Sequence, residues 1–332
     1  MKGPILGPRS ARAAIRLARL APPALAALVL SVQFTLAHFS PAAVNPAASL
    51  DRLVAGTADT PFQFRALLPW FVRAAESVLG CLPISLNAAH LFALGEITAL
   101  LVAQAGIGRL LTRIGFDRAQ AWLWSFSLYF VLAYVYLAPE YLRLWYPADV
   151  PAIAFFAWGL VWLIERRWGR FAAVFAIGTL NRETTIFLAL AALLVEWEGP
   201  HRRHALLRFL ALSGLWLMIK TALAWLYRDN PGLGLFASGR PANNLAILGD
   251  WRVLVRLTSF AGFTWMPALI FYRRIANRDL ACALWIVPPY LMAMMLVANL
   301  NELRIYGELV PLLLPASLLA LKAADPPRAR QR

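Results

Sequence analysis

Residues 171–195 read Phe171-Ala-Ala-Val-Phe-Ala-Ile-Gly-Thr-Leu180, then Asn181-Arg182-Glu183-Thr184-Thr185, then Ile186-Phe-Leu-Ala-Leu-Ala-Ala-Leu-Leu-Val195. Two apolar runs flank an adjacent arginine and glutamate. An ionised side chain at the centre of a bilayer costs about 2.5–3.5 kcal/mol on insertion scales. Two of them inside a hydrophobic sequence therefore call for protein partners or water. Neighbouring helical positions do not face one another, so Arg182 and Glu183 do not simply neutralise each other. The pattern predicts two short helices that meet at a polar turn, set in a cavity of a membrane protein.

The rest of the chain agrees with a membrane setting. Hydrophobic residues make up 61% of 332 positions, and the mean hydropathy is +0.62, which is too apolar for an ordinary soluble domain. Apolar runs of about 20 residues recur, the length that crosses about 30 Å of hydrocarbon. The expectation is one polytopic membrane domain over 1–332. The formal net charge is +15, but the basic residues fall between apolar runs, as topology determinants do. No zinc-finger spacing, P-loop or Rossmann glycine pattern accompanies them, so nucleic acid is not an expected partner. Cys81 and Cys282 are assigned to opposite faces, so neither a disulfide nor a cysteine metal site is expected. Lys2, Arg9, Arg12, Arg16 and Arg19 precede the first apolar segment. A signal peptide also has such a basic start, but the apolar segment is long for one. It reads as a first transmembrane helix with a cytoplasmic N-terminus.

Apolar periodicity and breakers give about ten spans: 20–38, 82–108, 119–138, 150–165, 168–181, 184–198, 205–227, 254–272, 279–298 and 306–322. With the N-terminus inside, the inner segments hold 21 of the 32 Lys and Arg residues. That bias favours an even number of crossings and two cytoplasmic termini. It also decides how 171–195 runs. One continuous helix would invert every later loop and send the clusters at 273–278 and 322–332 outward. A hairpin of two short helices keeps them inside. Arms of 10–14 residues reach only about 15–21 Å, so the tip lies below the outer surface.

The outer side then collects the chemically capable residues. The first outer loop, 39–81, holds Asp51, Asp59, Arg65 and Arg73, and its last part has the look of an interfacial helix. The second carries Glu140, Arg143, Tyr146 and Asp149. A third, 228–251, is rich in Gly, Pro and Asn. The last holds Glu302, Arg304 and Glu308. Carboxylates near cations suit glycosyl transfer from a lipid-phosphate donor. A carboxylate accepts the proton of the acceptor hydroxyl, and cations hold the phosphate and stabilise the leaving group. Each residue also has a plainer reading. Asp51 and Asp59 suit a wet loop, and Asp149 suits a helix N-terminus. Arg65 and Arg73 suit membrane anchoring, and Arg182 with Glu183 suits structural ion pairing between helices. Glu96 and Lys220, both inside apolar spans, would pair with each other or line the cavity. His90 reads as a structural hydrogen-bonding residue rather than a metal ligand.

Tyr146-Pro-Ala-Asp149-Val-Pro-Ala-Ile-Ala-Phe-Phe156, followed by a span, a basic turn and Gly178-Thr-Leu-Asn-Arg-Glu-Thr-Thr185, resembles the GT-C superfamily of polytopic glycosyltransferases. Aminoarabinose transferase and the protein mannosyltransferases are of this type. Arg304-Ile-Tyr-Gly-Glu-Leu-Val-Pro311 is similar to the segment that opens the family's late outer-to-inner helix. The resemblance covers about 20–200 and 300–322. It implies Asp51 or Asp59, together with Asp149, as catalytic carboxylates. It implies Arg182 and Arg304 as donor-phosphate contacts. Arg65 is a further candidate for the phosphate, and Glu183, Glu302, Glu308 and Tyr146 are candidates to line the cavity. Neither first-loop acid stands in an Asp-x-Asp motif, which leaves a divalent metal open as a cofactor. The expected activity is transfer of a sugar from polyprenyl phosphate to a periplasmic glycan, lipid or protein in a bacterial inner membrane. The rivals are a transporter or flippase, a glycan polymerase or ligase, and a non-catalytic scaffold.

Overall fold

The computed structural model describes residues 8–39, 45–80, 86–137, 144–197, 202–232 and 240–323. Every regular element among these residues is helical. The chain begins with α1 (Pro8–His38), and a short α2 (Leu50–Ala55) and α3 (Leu67–Leu79) follow in the first loop. α3 leaves Trp70, Phe71 and Val78 exposed and buries Val72. α4 (Ala88–Arg113) starts at a reciprocal cap in which Asn87 accepts from the His90 amide and His90 accepts from the Asn87 amide. His90 is thus a capping residue.

Four helical stretches are long and apolar enough to cross a membrane: Ala88–Arg113, Arg202–Leu226, Arg278–Val297 and Leu303–Lys322. Pro22–His38 and Asp149–Ile164 are shorter apolar helices. Several expected spans are divided. Residues 119–138 form α5 (Arg118–Ser125) and α6 (Ser127–Tyr136). At that break the Ser125 and Ser127 hydroxyls donate to the carbonyls of Trp122 and Trp124, competing with the helical ladder.

α7 (Asp149–Ile164), α8 (Trp168–Asn181), α9 (Ile186–Trp197) and α10 (Arg202–Leu226) follow. The supposed loop 228–251 contains α11 (Arg240–Leu248). Residues 254–272 are divided between α12 (Trp251–Thr258) and α13 (Trp265–Ile270). Between them Ala261, Gly262 and Phe263 have φ of 49°, 60° and 61°, a left-handed stretch that no α-helix continues through. α14 (Arg278–Ala283) and α15 (Val287–Val297) are joined by a 3₁₀ turn, and α16 (Val310–Lys322) is entered through another at Leu303–Leu309. Gly307 in that turn lies so close to the Tyr136 ring that a Cβ has no room.

α7 is the central helix. It is apolar all round apart from Asp149, as a helix enclosed by others should be. Ile153, Phe156, Leu160 and Leu163 pack into the core with Ile107 of α4, Leu188 of α9 and Leu312 of α16.

The expected hairpin is present. Arg182 leaves the helical region at φ −156°, ψ 146°, and a turn at Glu183–Thr185 opens α9. Gly178 lies against Phe155 and Thr185, while Gly159 lies against Leu188. α9 therefore runs alongside α7 and opposite to α8. At the base of the hairpin, Arg208 of α10 donates to Glu196 of α9 and lies 4.2 Å over the Trp168 ring of α8.

Contacts also define a basic end. Arg109 donates twice to Glu165, and Arg113 and Arg167 join the same carboxylate. Arg166 pairs with Asp279, and Lys322 donates to the Gly115 carbonyl. The Arg109 hydrogen bonds hold the Glu165 carboxyl down at about 2, against the opposing cost of burial, with Arg113 adding to the effect. Its folded value is below the unfolded value of about 4.3. Its stabilisation is therefore present above about pH 4.3 and fades as pH falls toward about 2. Glu165→Gln is expected to lower the melting temperature at neutral pH and to flatten the acid limb. Thermal melts of detergent-purified protein across that range measure both.

Candidate functional site

The site is built from its supports inward. Trp145, just before the predicted Tyr146, donates to Glu96 at 2.5 Å, and the other Glu96 oxygen meets His38 Nδ1 at 2.9 Å. Phe39 and Phe92 flank the Trp145 ring. Glu96 therefore fixes the segment that leads into α7 and does not pair with Lys220. Tyr146 stacks on Phe62 with ring centroids 5.3 Å apart, and its hydroxyl accepts from Asn45 at 3.2 Å.

Asp149 makes no side-chain cap at the start of α7. Its two oxygens instead accept from Arg182 Nη1 and Arg304 Nη1, each at 2.9 Å. Arg182 Nε lies 2.9 Å from Glu308 Oε1. Glu308 Oε2 accepts from the Tyr290 hydroxyl at 3.1 Å. The Asn181 side chain donates to the Ala148 carbonyl at 2.8 Å, which ties the hairpin tip to the head of α7. Arg304 also pairs with Glu302 and lies 4.1 Å over the Tyr146 ring.

A second group adjoins the tip. Arg65 donates to Glu183 at 2.8 Å, Trp216 Nε1 donates to the Glu183 carbonyl at 2.8 Å, and Lys220 reaches the Phe64 carbonyl at 3.4 Å.

Exposure separates floor from rim. The Asp149 and Glu308 side chains are 0% exposed and Arg182 is 4%. Arg304 and Glu302 are each 12% exposed, Arg65 14% and Glu183 35%. Four chain segments thus bring Arg65, Tyr146, Asp149, Arg182, Glu183, Glu302, Arg304 and Glu308 together. Asp51 and Asp59 are placed differently. Asp51 is exposed on α2, and Asp59 pairs with Arg52 at 2.6 Å. Glu140 and Arg143 lie outside the described residues, as does Cys81.

Arg182, the expected phosphate contact, is paired with Asp149 and Glu308. The guanidinium is held between two buried carboxylates, which fits the structural ion-pair reading. The cations at the rim are Arg65 and Arg304. Among the described residues no three His, Cys, Asp or Glu side chains gather as a metal-binding set. Tyr290 is not visible as a site residue in the sequence. Tyr290 sits in an apolar run whose pattern marks it only as core, whereas Asn181 was visible as part of the polar break.

An apolar groove of about 730 Å³ opens between α3, α4, α7 and α8, lined by Leu68, Phe71, Leu94, Val102, Pro151 and Trp162 among others. It begins at Leu67, two residues after Arg65, and at Pro151, two residues after Asp149. It runs toward Trp162, over which Arg109 and Arg170 lie at the basic end.

No protein-family model, curated protein or solved structure matches the chain.

Proposed function

We propose that the chain is a GT-C-like glycosyltransferase that takes a sugar from a polyprenyl-phosphate donor and passes it to a periplasmic glycan, lipid or protein. One observation carries this reading: an apolar groove lined by Leu67 and Pro151 starts two residues from Arg65 and from Asp149, which belong to the cluster of arginines and carboxylates. A lipid phosphate needs both parts at once. On this reading ten helical passes span a bacterial inner membrane. Both termini are cytoplasmic, and the basic end faces the cytoplasm. Arg65 and Arg304 hold the donor phosphate with forked donors. Asp149 and Glu302 keep Arg304 in place. Asp59 is the first-loop carboxylate that receives the acceptor proton. It follows Ala58, which packs with Tyr146, and it exchanges its Arg52 partner for the acceptor hydroxyl, whereas Asp51 is exposed on α2. The bond from the sugar anomeric carbon to the phosphate oxygen breaks, the acceptor oxygen takes that carbon, and polyprenyl phosphate leaves.

The broken segments at Arg182 and at Phe260–Phe263 favour a second reading, a transporter or flippase, because interrupted helices carry ions and substrates in that class. Purified protein in proteoliposomes with labelled polyprenyl-phosphate sugar and candidate acceptors separates the two. Transfer yields a labelled acceptor and free polyprenyl phosphate. Movement of intact donor across the bilayer without a labelled product would overturn the transferase reading.

A further inference from the structure

A second groove, which shares Trp158 with the first, lies beside the basic end, between α1, α4 and α5. It has a volume of about 810 Å³ and is lined by Leu28, Gly108, Arg109, Arg113, Arg118 and Trp122 among others. One end is cationic and the remainder is mainly apolar. Arg109, Arg113 and Arg167 share the single Glu165 carboxylate. The nearby Asp117 is occupied in accepting from the Gln120 amide at the start of α5. Arg118 is exposed at the groove mouth. The patch therefore keeps a surplus of positive charge, and Ala24 and Ala27 of α1 close its apolar side. Trp122 beside these arginines is the residue type that settles at the headgroup level of a bilayer.

We infer that this groove binds an anionic phospholipid. The phosphate sits at Arg113 and Arg118, and an acyl chain lies along α1 and α4 past Leu28 and Gly108. Basic pockets between helices on the cytoplasmic side recognise such headgroups. Charge complementarity selects an anionic lipid over a zwitterionic one, and the apolar length of the groove selects a lipid over a free anion. The site lies at the opposite end from the Asp149 cluster and does not depend on the transferase reading.

The test is a lipid titration of purified full-length protein, read as a shift in melting temperature and as lipid retained in native mass spectra. The probes are phosphatidylglycerol, phosphatidylcholine and inorganic phosphate. Phosphatidylglycerol is expected to stabilise the protein saturably, and the other two are not. Arg118→Glu reverses an exposed charge and is expected to weaken phosphatidylglycerol binding on the order of tenfold or more, since each basic residue near anionic lipid contributes about fivefold. Gly108→Leu tests the apolar part independently. A Cβ there meets Ser125 Cβ at an ordinary 3.6 Å, and the melt of the lipid-free variant checks that the longer chain is accommodated. Equal stabilisation by phosphatidylcholine overturns the proposal, as does a matching effect of inorganic phosphate. Unchanged phosphatidylglycerol affinity in both folded variants overturns it as well.

Discussion

Asp149→Ala is expected to destabilise the protein by about 3–5 kcal/mol, the usual cost of removing one partner from a buried ion pair. The carboxylate is fully buried and serves two guanidinium groups at 2.9 Å each. Without it, Arg182 keeps only Glu308, Arg304 keeps only Glu302, and two cations face each other across the vacated space. Neither reaches bulk water easily, so solvent does not make good the loss. Asp149→Asn keeps the shape and one acceptor oxygen and is expected to cost less. Arg182→Ala is the mirror case. It leaves Asp149 and Glu308 close together without their shared cation, and its cost is expected to be similar. The readout is the melting temperature in detergent, where Asp149→Ala is expected to fall by on the order of 10 °C. An Asp149→Ala protein that melts like the wild type would show that water reaches the cluster and that the floor is not dry. The consequence for function is direct. Loss of transfer in Arg182→Ala does not by itself place Arg182 on the substrate, because the floor it holds is expected to collapse.

The break at Asn181-Arg182-Glu183 was legible because ions inside apolar runs have few physical explanations. The sorting of arginines by end was legible because it repeats along the chain. Arg109, Arg113, Arg166, Arg167 and Lys322 do meet at one end. The partners of the buried ions were not legible. Asp149 at the first position of α7 looks like a helix-capping acid in sequence, and its pairing with Arg304 joins residues 155 positions apart. Glu96 gave no sign that it would hold Trp145 and His38. The divisions at Phe126 and at Ala261–Phe263 were missed for another reason. Apolar periodicity measures how much surface faces lipid or core, and it is nearly blind to a single turn with a different backbone. Only Ser125, Ser127 and Gly262 hinted at them, and serine and glycine are common enough in membrane helices to carry little weight.

Arg65 is the residue whose loss is expected to separate catalysis from folding. Its guanidinium donates to Glu183 at the rim, with 14% and 35% of the two side chains exposed. The pair is part-buried, and a hydrogen bond to a charged group contributes about 1.5–3 kcal/mol, below the cost expected at the Asp149 floor, so Arg65→Ala is expected to fold. If the rim holds the donor phosphate, the same substitution removes a forked donor from the leaving group. Losing one such donor costs about 10²–10³ in rate where charge develops in the transition state. Arg65→Lys keeps the charge without the planar fork and is expected to fall between Arg65→Ala and the wild type. Arg73, exposed on α3 in the same loop, supplies the control, and Arg73→Ala is expected to transfer at wild-type rates. The assay is labelled-sugar transfer in proteoliposomes, with size-exclusion elution and a thermal melt on each variant. A folded Arg65→Ala protein that transfers at the wild-type rate would remove Arg65 from the donor site and leave Arg304 as the rim cation to test next.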